Sequence, residues 1–252
     1  MPLRILAGAH LRPLVLALGL QSRVDLLDSG PRYPAAFDVR SAGLPAAVRS
    51  LLALRQQFRR LPSEWRLLFD RLGIREKLLG AAHESLALRQ APNIYLAYQA
   101  TLGCSNIPAS TLPRISESGT GKITIVPSSR VAAKRIPLPV LTAVLSRLQP
   151  YGECEIIDMP GEEIELPANA RINRIERSFT ALLEVLRGSR LVVSADSLSA
   201  HLAEFLRIPC YILTPRPNEY WLPLQAFESR AWSTFQQSDH LQEWLKRHFA
   251  VG

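Results

Sequence analysis

Between Lys122 and Leu213, apolar runs of strand length alternate with helical stripes, and nothing else in the chain constrains its fold as tightly. Strands are expected at Lys122–Val126, Cys154–Ile157, Leu191–Ser194 and Cys210–Leu213. Between them, Leu138, Leu141, Leu145 and Leu148 repeat at helical spacing, and helices are expected over Phe179–Leu186 and Ser199–Leu206. Leu241, Trp244, Leu245 and Phe249 mark a terminal amphipathic helix. Strands joined by helices of this length make βαβ units and hence a parallel sheet covered on both faces. Ligands of such sheets bind outside the carboxyl ends of the strands. Two polar segments, 127–135 and 194–201, fall at that edge.

The first half is less regular. A strand at Arg4–Gly8, a helix over Leu11–Leu20 with Pro13 in its first turn, and a strand at Val24–Leu27 open the chain. Leu44, Val48, Leu51, Leu52 and Phe58 form a helical stripe among Arg49, Arg55, Arg59 and Arg60. From Leu61 to Cys104 the pattern reads as helical, with Trp65, Leu67, Leu68 and Leu72 on one face and Tyr95, Tyr98 and Leu102 on another. The polar segment 116–121 is the best linker. It divides the chain into an expected 1–117 domain and a 118–252 domain.

The 252 residues carry a net charge of +8 and a pI near 9.9, and of 30 basic residues only Lys77, Lys122, Lys134 and Lys246 are lysine. Such a surface suits anionic partners. Cys104, Cys154 and Cys210 show no CxxC spacing, which argues against a disulfide framework and structural zinc and for a reducing cytosol. The apolar runs fall short of the roughly 18–20 residues a membrane span needs.

Two stretches carry chemistry. In Pro127-Ser128-Ser129-Arg130-Val131-Ala132-Ala133-Lys134-Arg135 two hydroxyls leave a strand and two cations, Lys134 and Arg135, come five to seven residues after them. Hydroxyls and backbone amides orient phosphate oxygens, and Lys134 adds a point charge. A solvated surface loop is the alternative. Gly121-Lys122 is not a P-loop, because Ile123 follows and a strand stands where a helix is required. In Ser194-Ala195-Asp196-Ser197-Leu198-Ser199-Ala200-His201 a strand turns directly into a helix. A helix N-terminus gathers free N–H groups and the positive end of the dipole, which favours a phosphate. A plain N-cap at Asp196 or Ser197, with His201 packed in the core, is the alternative there.

Together these motifs resemble the C-terminal half of glycosyltransferase family 9, the ADP-heptose:lipopolysaccharide heptosyltransferases. Val126-Pro127-Ser128 stands where that family has a His-Pro-Gly-like loop. Lys134-Arg135-Ile136-Pro137 is similar to its Lys-Arg-Trp-Pro, and Asp196-Ser197-Leu198-Ser199-Ala200-His201 to its Asp-Ser-Gly-Pro-x-His. Leu206-Arg207-Ile208-Pro209 resembles the family's helix end and Gly-x-Pro. The likeness is strongest over 122–215.

The resemblance implies an α/β, GT-B-like fold: two Rossmann-like domains with parallel sheets facing a cleft, the first reduced. It implies a nucleotide-diphosphate sugar, ADP-heptose-like, as donor, with no cofactor and no catalytic metal. Ser128, Ser129 and Lys134 would face the diphosphate. Asp196, Ser197 and the amides near Leu198 and Ser199 would hold donor phosphate and sugar, with His201 supporting the loop. Arg216 and Asn218, after the last core strand, are candidate sugar or base contacts. The family carries Gly-Asp after its first strand, that Asp being the base. Gly8-Ala9 lacks the carboxylate, and His10 is the adjacent titratable group.

The expected function is therefore inverting transfer of a heptose-like sugar to a cell-envelope glycan such as lipopolysaccharide core. An anionic glycolipid acceptor fits the basic surface, in the cytoplasm with the inner-membrane face as a contact. A non-catalytic sugar-nucleotide-binding or assembly subunit on the same fold is the alternative, favoured by Ala9. Nucleic acid is not an expected partner, since no RNP, KH or zinc pattern is present.

Overall fold

A computed structural model of the chain describes residues 5–8, 11–27, 44–69, 72–103, 121–161 and 164–249. It forms two compact units, Met1–Gln90 and Ala91–Gly252. The linker expected at 116–121, Gly121 excepted, lies outside the described residues, as do Ala9 and His10.

In the first unit, strand β1 (Ile5–Gly8) pairs in parallel with β2 (Val24–Leu27) across helix α1 (Arg12–Ala17), whose first turn accommodates Pro13. Helix α2 spans Leu44–Phe58. Strand β3 (Arg66–Phe69), helix α3 (Ile74–Leu79) and β4 (Glu84–Ala87) then close a second parallel pair. The helical reading of Leu61–Cys104 is thus corrected at β3 and β4. Leu67, Leu68 and Phe69 are consecutive and apolar, and so short a run does not distinguish a strand from a buried helical turn. The stripe on α2 is corrected as well. Val48 and Leu52 are exposed, whereas Leu54 and Phe58 form the core with Leu67 and Leu79.

The second unit opens with α4 (Ile94–Leu102), N-capped by Asn93 and ended by Gly103 in the left-handed region at φ 67°. Ile94 and Ala97 are its buried residues; Tyr98 and Leu102, expected on one face with Tyr95, are exposed. Next come β5 (Lys122–Val126), α5 (Leu138–Leu148), β6 (Cys154–Asp158), β7 (Ile172–Arg174), α6 (Phe179–Arg187) and β8 (Ser189–Ala195). Helix α7 (Leu198–Phe205), β9 (Cys210–Thr214), α8 (Leu224–Glu228), β10 (Trp232–Thr234) and α9 (His240–His248) complete it. All the strands and helices expected after Lys122 are present, and the short edge strands β7 and β10 are additions.

These six strands form one sheet in the order β10-β9-β8-β5-β6-β7, every neighbouring pair parallel. Successive strand residues point to opposite faces. Leu191, Val192 and Val193 are each 0% exposed, so both faces are covered. Helices α5 and α9 lie against each other, as do α6 and α7. Trp244 of α9 packs on Tyr211 of β9, ring centroids 5.4 Å apart. Burial pushes the Cys154 thiol up to about 11, so that side chain acts as a small hydrophobe.

The helices that lead into β9 and β10 end alike. Arg207 and Arg230 stand at the residue after the C-cap with φ of 57° and 53°. In each case the following amide bonds back to the helix, Ile208 N–H to Ala203 O and Ala231 N–H to Ala226 O, both at 2.9 Å. Glycine normally fills this left-handed position, because a Cβ there is strained. Both arginines are exposed, so no packing is at stake. Relief of the left-handed strain, less the extra entropy glycine gives the unfolded chain, is expected to make Arg207→Gly and Arg230→Gly each stabilise the chain by about 0.5–1 kcal/mol, read as a rise in the urea midpoint with an unchanged slope.

Candidate functional site

The strand order places β6 and β7 on one side of β5 and β8, β9 and β10 on the other. This is the doubly wound order whose reversal point, between its first and fourth strands, forms the binding crevice. Those two strands are β5 and β8. The residues following them are the two motifs singled out in the sequence.

They meet in an ion pair. Lys134 Nζ donates to Asp196 Oδ2 at 2.7 Å, across 62 residues of chain. The Asp196 side chain is 5% exposed and that of Lys134 34%. Lys134 ends a short 3-10 turn, Ala132–Lys134, held by Ile136 N–H bonding Pro127 O at 3.0 Å and Arg135 Nε donating to Ser129 O at 3.1 Å. Asp196 is fixed from the sheet side, its N–H on Leu213 O at 3.1 Å. Each member of the pair is thus set by its own strand end.

Ser197 is the N-cap of α7, in extended conformation, and no side chain caps the helix. The plain N-cap reading is therefore not met. The Ser197 hydroxyl instead pairs with Ser199 Oγ at 2.8 Å, and Ser199 with Ser194 Oγ at 2.6 Å. That hydroxyl chain ties the turn to the end of β8. Ala200 N–H bonds back to Ser197 O at 3.2 Å; the amides of Leu198 and Ser199 precede that first intrahelical bond, and they add the positive end of the helix to the ammonium of Lys134. Ser128 and Ser129 are buried, at 3% and 6% exposure, and Ser129 Oγ accepts from Val131 N–H at 3.3 Å. Leu198 is 40% exposed.

His201, one turn into α7, is linked through Nδ1 to the Tyr95 hydroxyl at 2.9 Å. Burial lowers its pKa below the ordinary 6.5. The Asp196 charge opposes that shift and Lys134 reinforces it. Arg216 and Asn218 follow β9, next to β8 in the sheet, with Thr214 Oγ1 donating to Arg216 O at 2.9 Å. Neither side chain has a bond to the pair; Arg216 is exposed and Asn218 half-buried. The base candidate His10 lies outside the described residues. Sequence reasoning missed Asn93 and Tyr95. Pro92-Asn93 before an apolar run is a helix-start signal, but it does not reveal what the helix touches.

No cluster of three or more His, Cys, Asp or Glu that could hold a metal ion is present among the described residues. What the site offers is a cation, a helix N-terminus and hydroxyls at one crevice, a set suited to an anionic, phosphate-bearing ligand.

Two outcomes follow. Lys134→Ala leaves the buried Asp196 carboxylate without its partner and is expected to cost about 1–3 kcal/mol. Asp196→Asn added to it restores most of the loss, as a double-mutant cycle in urea will read. His201 takes up its proton at lower pH in the folded than in the unfolded chain. Its contribution to stability is therefore complete above about pH 6.5 and is lost as pH falls through the folded pKa. His201→Gln flattens the wild-type decline in urea midpoint between about pH 7 and pH 5.

No family model and no curated protein matches the chain. Solved structures match it. E. coli heptosyltransferase WaaC with ADP aligns over 98% of this chain and 100% of that one, at 11% identity and a TM-score of 0.55. A glycosyltransferase family 9 structure from Veillonella parvula aligns over 98% and 91%, at 12% identity and a TM-score of 0.51. The glycosyltransferase TibC from enterotoxigenic E. coli aligns over 41% of this chain at 20% identity and a TM-score of 0.34. The chain spans about a third of the two TibC structures it matches, 33% and 30% of their lengths. The likeness to WaaC and to the Veillonella protein bears out the resemblance at the level of the fold: an α/β chain of the GT-B-like class, built from Rossmann-like units.

Proposed function

We propose that this chain is a GT-B glycosyltransferase that moves a sugar, heptose-like in class, from a nucleoside-diphosphate donor to a phosphorylated cell-envelope glycan. The observation that carries the reading is the Lys134–Asp196 pair at the uncapped start of α7, between the two strands where the sheet order reverses. The comparisons support it through structures described as heptosyltransferases, one of them with ADP. No helix among the described residues is long and apolar enough to cross a membrane. The basic surface suits an anionic acceptor at the inner-membrane face.

In the proposed reaction the acceptor hydroxyl loses its proton to a base and its oxygen attacks the anomeric carbon with inversion. The bond from that carbon to the diphosphate breaks, and the electron pair leaves on the nucleoside diphosphate. Lys134 and the α7 amides oppose the charge that develops there, and preorganised donors of this kind act most strongly where charge grows. Ser128, Ser129, Ser197, Leu198 and Ser199 border the same turns through hydroxyls or backbone. His10 is the proposed base. The second reading, a sugar-nucleotide-binding subunit without turnover, is favoured by one observation: Ala9 occupies the position where the family it resembles has its carboxylate.

Thermal shift of the purified full chain with ADP, GDP, UDP and dTDP tests the reading. One diphosphate at about 100 times its Kd is expected to raise Tm by about 5–10 °C. The shift is expected to disappear in Lys134→Ala and Asp196→Ala, each measured against its own baseline. Absence of a shift with all four overturns the proposal. Binding with no donor hydrolysis or transfer, unchanged in His10→Ala, selects the non-catalytic subunit.

A further inference from the structure

A fully bonded buried side chain caps a helix that neither motif contains. Asn93 is 0% exposed and every polar atom of its side chain is engaged. Its Nδ2 donates to Glu219 O at 3.1 Å and to Leu222 O at 2.9 Å, and its Oδ1 accepts from Tyr95 N–H at 2.9 Å. The start of α4 is thereby fastened to the segment that follows β9. Two residues on, the Tyr95 hydroxyl reaches Nδ1 of His201 at 2.9 Å, with the two rings 21° from parallel and their centroids 6.1 Å apart. A buried asparagine spanning 126 and 129 residues of chain thus sets where the Tyr95 hydroxyl lies.

We propose that Tyr95 is a positioning residue of the anion site: its hydroxyl donates to Nδ1 of His201 and fixes that imidazole as the neutral Nε2–H tautomer beside the Lys134–Asp196 pair. The direction of the bond follows from the two groups. A phenol O–H is a better donor than a neutral imidazole N–H, and an imidazole nitrogen is a better acceptor than a phenol oxygen. With Nδ1 accepting, the one ring proton resides on Nε2. The charged groups whose fields reach His201 are Asp196, which favours the protonated ring, and Lys134, which favours the neutral one; burial is the larger effect and also favours the neutral ring. Tyr95 itself holds its proton, since burial and, secondarily, the Glu204 charge raise its pKa. A protonated His201 would repel Lys134 and compete for Asp196, whereas the neutral ring leaves that pair intact. The consequence for binding rests on the diphosphate reading above; the tautomer rests on this geometry alone.

Tyr95→Phe keeps the stacked ring and removes only the hydroxyl. Nitrogen NMR of the full chain, with the His201 signals assigned by their loss in His201→Gln, reads the tautomer directly. ADP titration reads binding. The expected result is Nε2–H in the wild type and a mixture of tautomers in Tyr95→Phe. ADP affinity is expected to fall roughly five- to tenfold while Tm stays within about 2–4 °C. In the His201→Gln background Tyr95→Phe is expected to change ADP affinity by less than about twofold, since the partner through which it acts is gone. An Nδ1–H tautomer in the wild type overturns the proposal. So does an undiminished loss of ADP affinity in the His201→Gln background, or a Tyr95→Phe chain that matches wild type in both tautomer and affinity. A wild type that binds no ADP counts against the diphosphate reading, and the tautomer measurement then decides this inference by itself.

Discussion

Everything at the candidate site follows from where the sheet reverses. Strand β5 lies in the middle, with β6 added on one side and β8 on the other. Right-handed crossovers that step in opposite directions put their helices on opposite faces of the sheet. The chain leaving β5 and the chain leaving β8 therefore diverge, and a crevice opens at their carboxyl ends. Lys134 and Asp196 are carried there by two different strands and meet at 2.7 Å.

That pair defines the electrostatics of the crevice. An aspartate of 5% side-chain exposure is stable as a charge only with a partner and hydrogen bonds. Here it has the ammonium and stands one residue before the N-cap of α7, where the helix dipole also favours it. The ammonium is a third exposed and so remains reachable by a phosphate. The hydroxyls of Ser194, Ser197 and Ser199 satisfy one another and leave the first-turn amides of α7 uncapped. The turn is rigid because of its serines and electropositive because of its amides.

Much of the second unit could be read from the residues. Leu191–Ser194 runs straight into Asp196-Ser197, and the stripe from Leu138 to Leu148 has a single period, so strand and helix were distinct. The first unit was harder. Leu67, Leu68 and Phe69 are too few to carry a period, so nothing in them separates β3 from a helical turn. On α2, the buried Leu54 and Phe58 and the exposed Leu52 are equally apolar. Which of them face inward is decided by where β3 and α3 sit, not by hydrophobicity.

Residue order alone sets the alternation of β and α elements after Lys122, the two polar turns at one sheet edge, and the residue types fit for phosphate. Those properties are local: they depend on side-chain volume, polarity and spacing within about ten residues. Which distant groups touch depends on the folded arrangement. The bond between Lys134 and Asp196, the fastening of Asn93 to the 219–222 segment, and the meeting of Tyr95 with His201 each join residues more than 60 positions apart. Such contacts exist only once the strands have taken their order, and no period in the chain encodes that order.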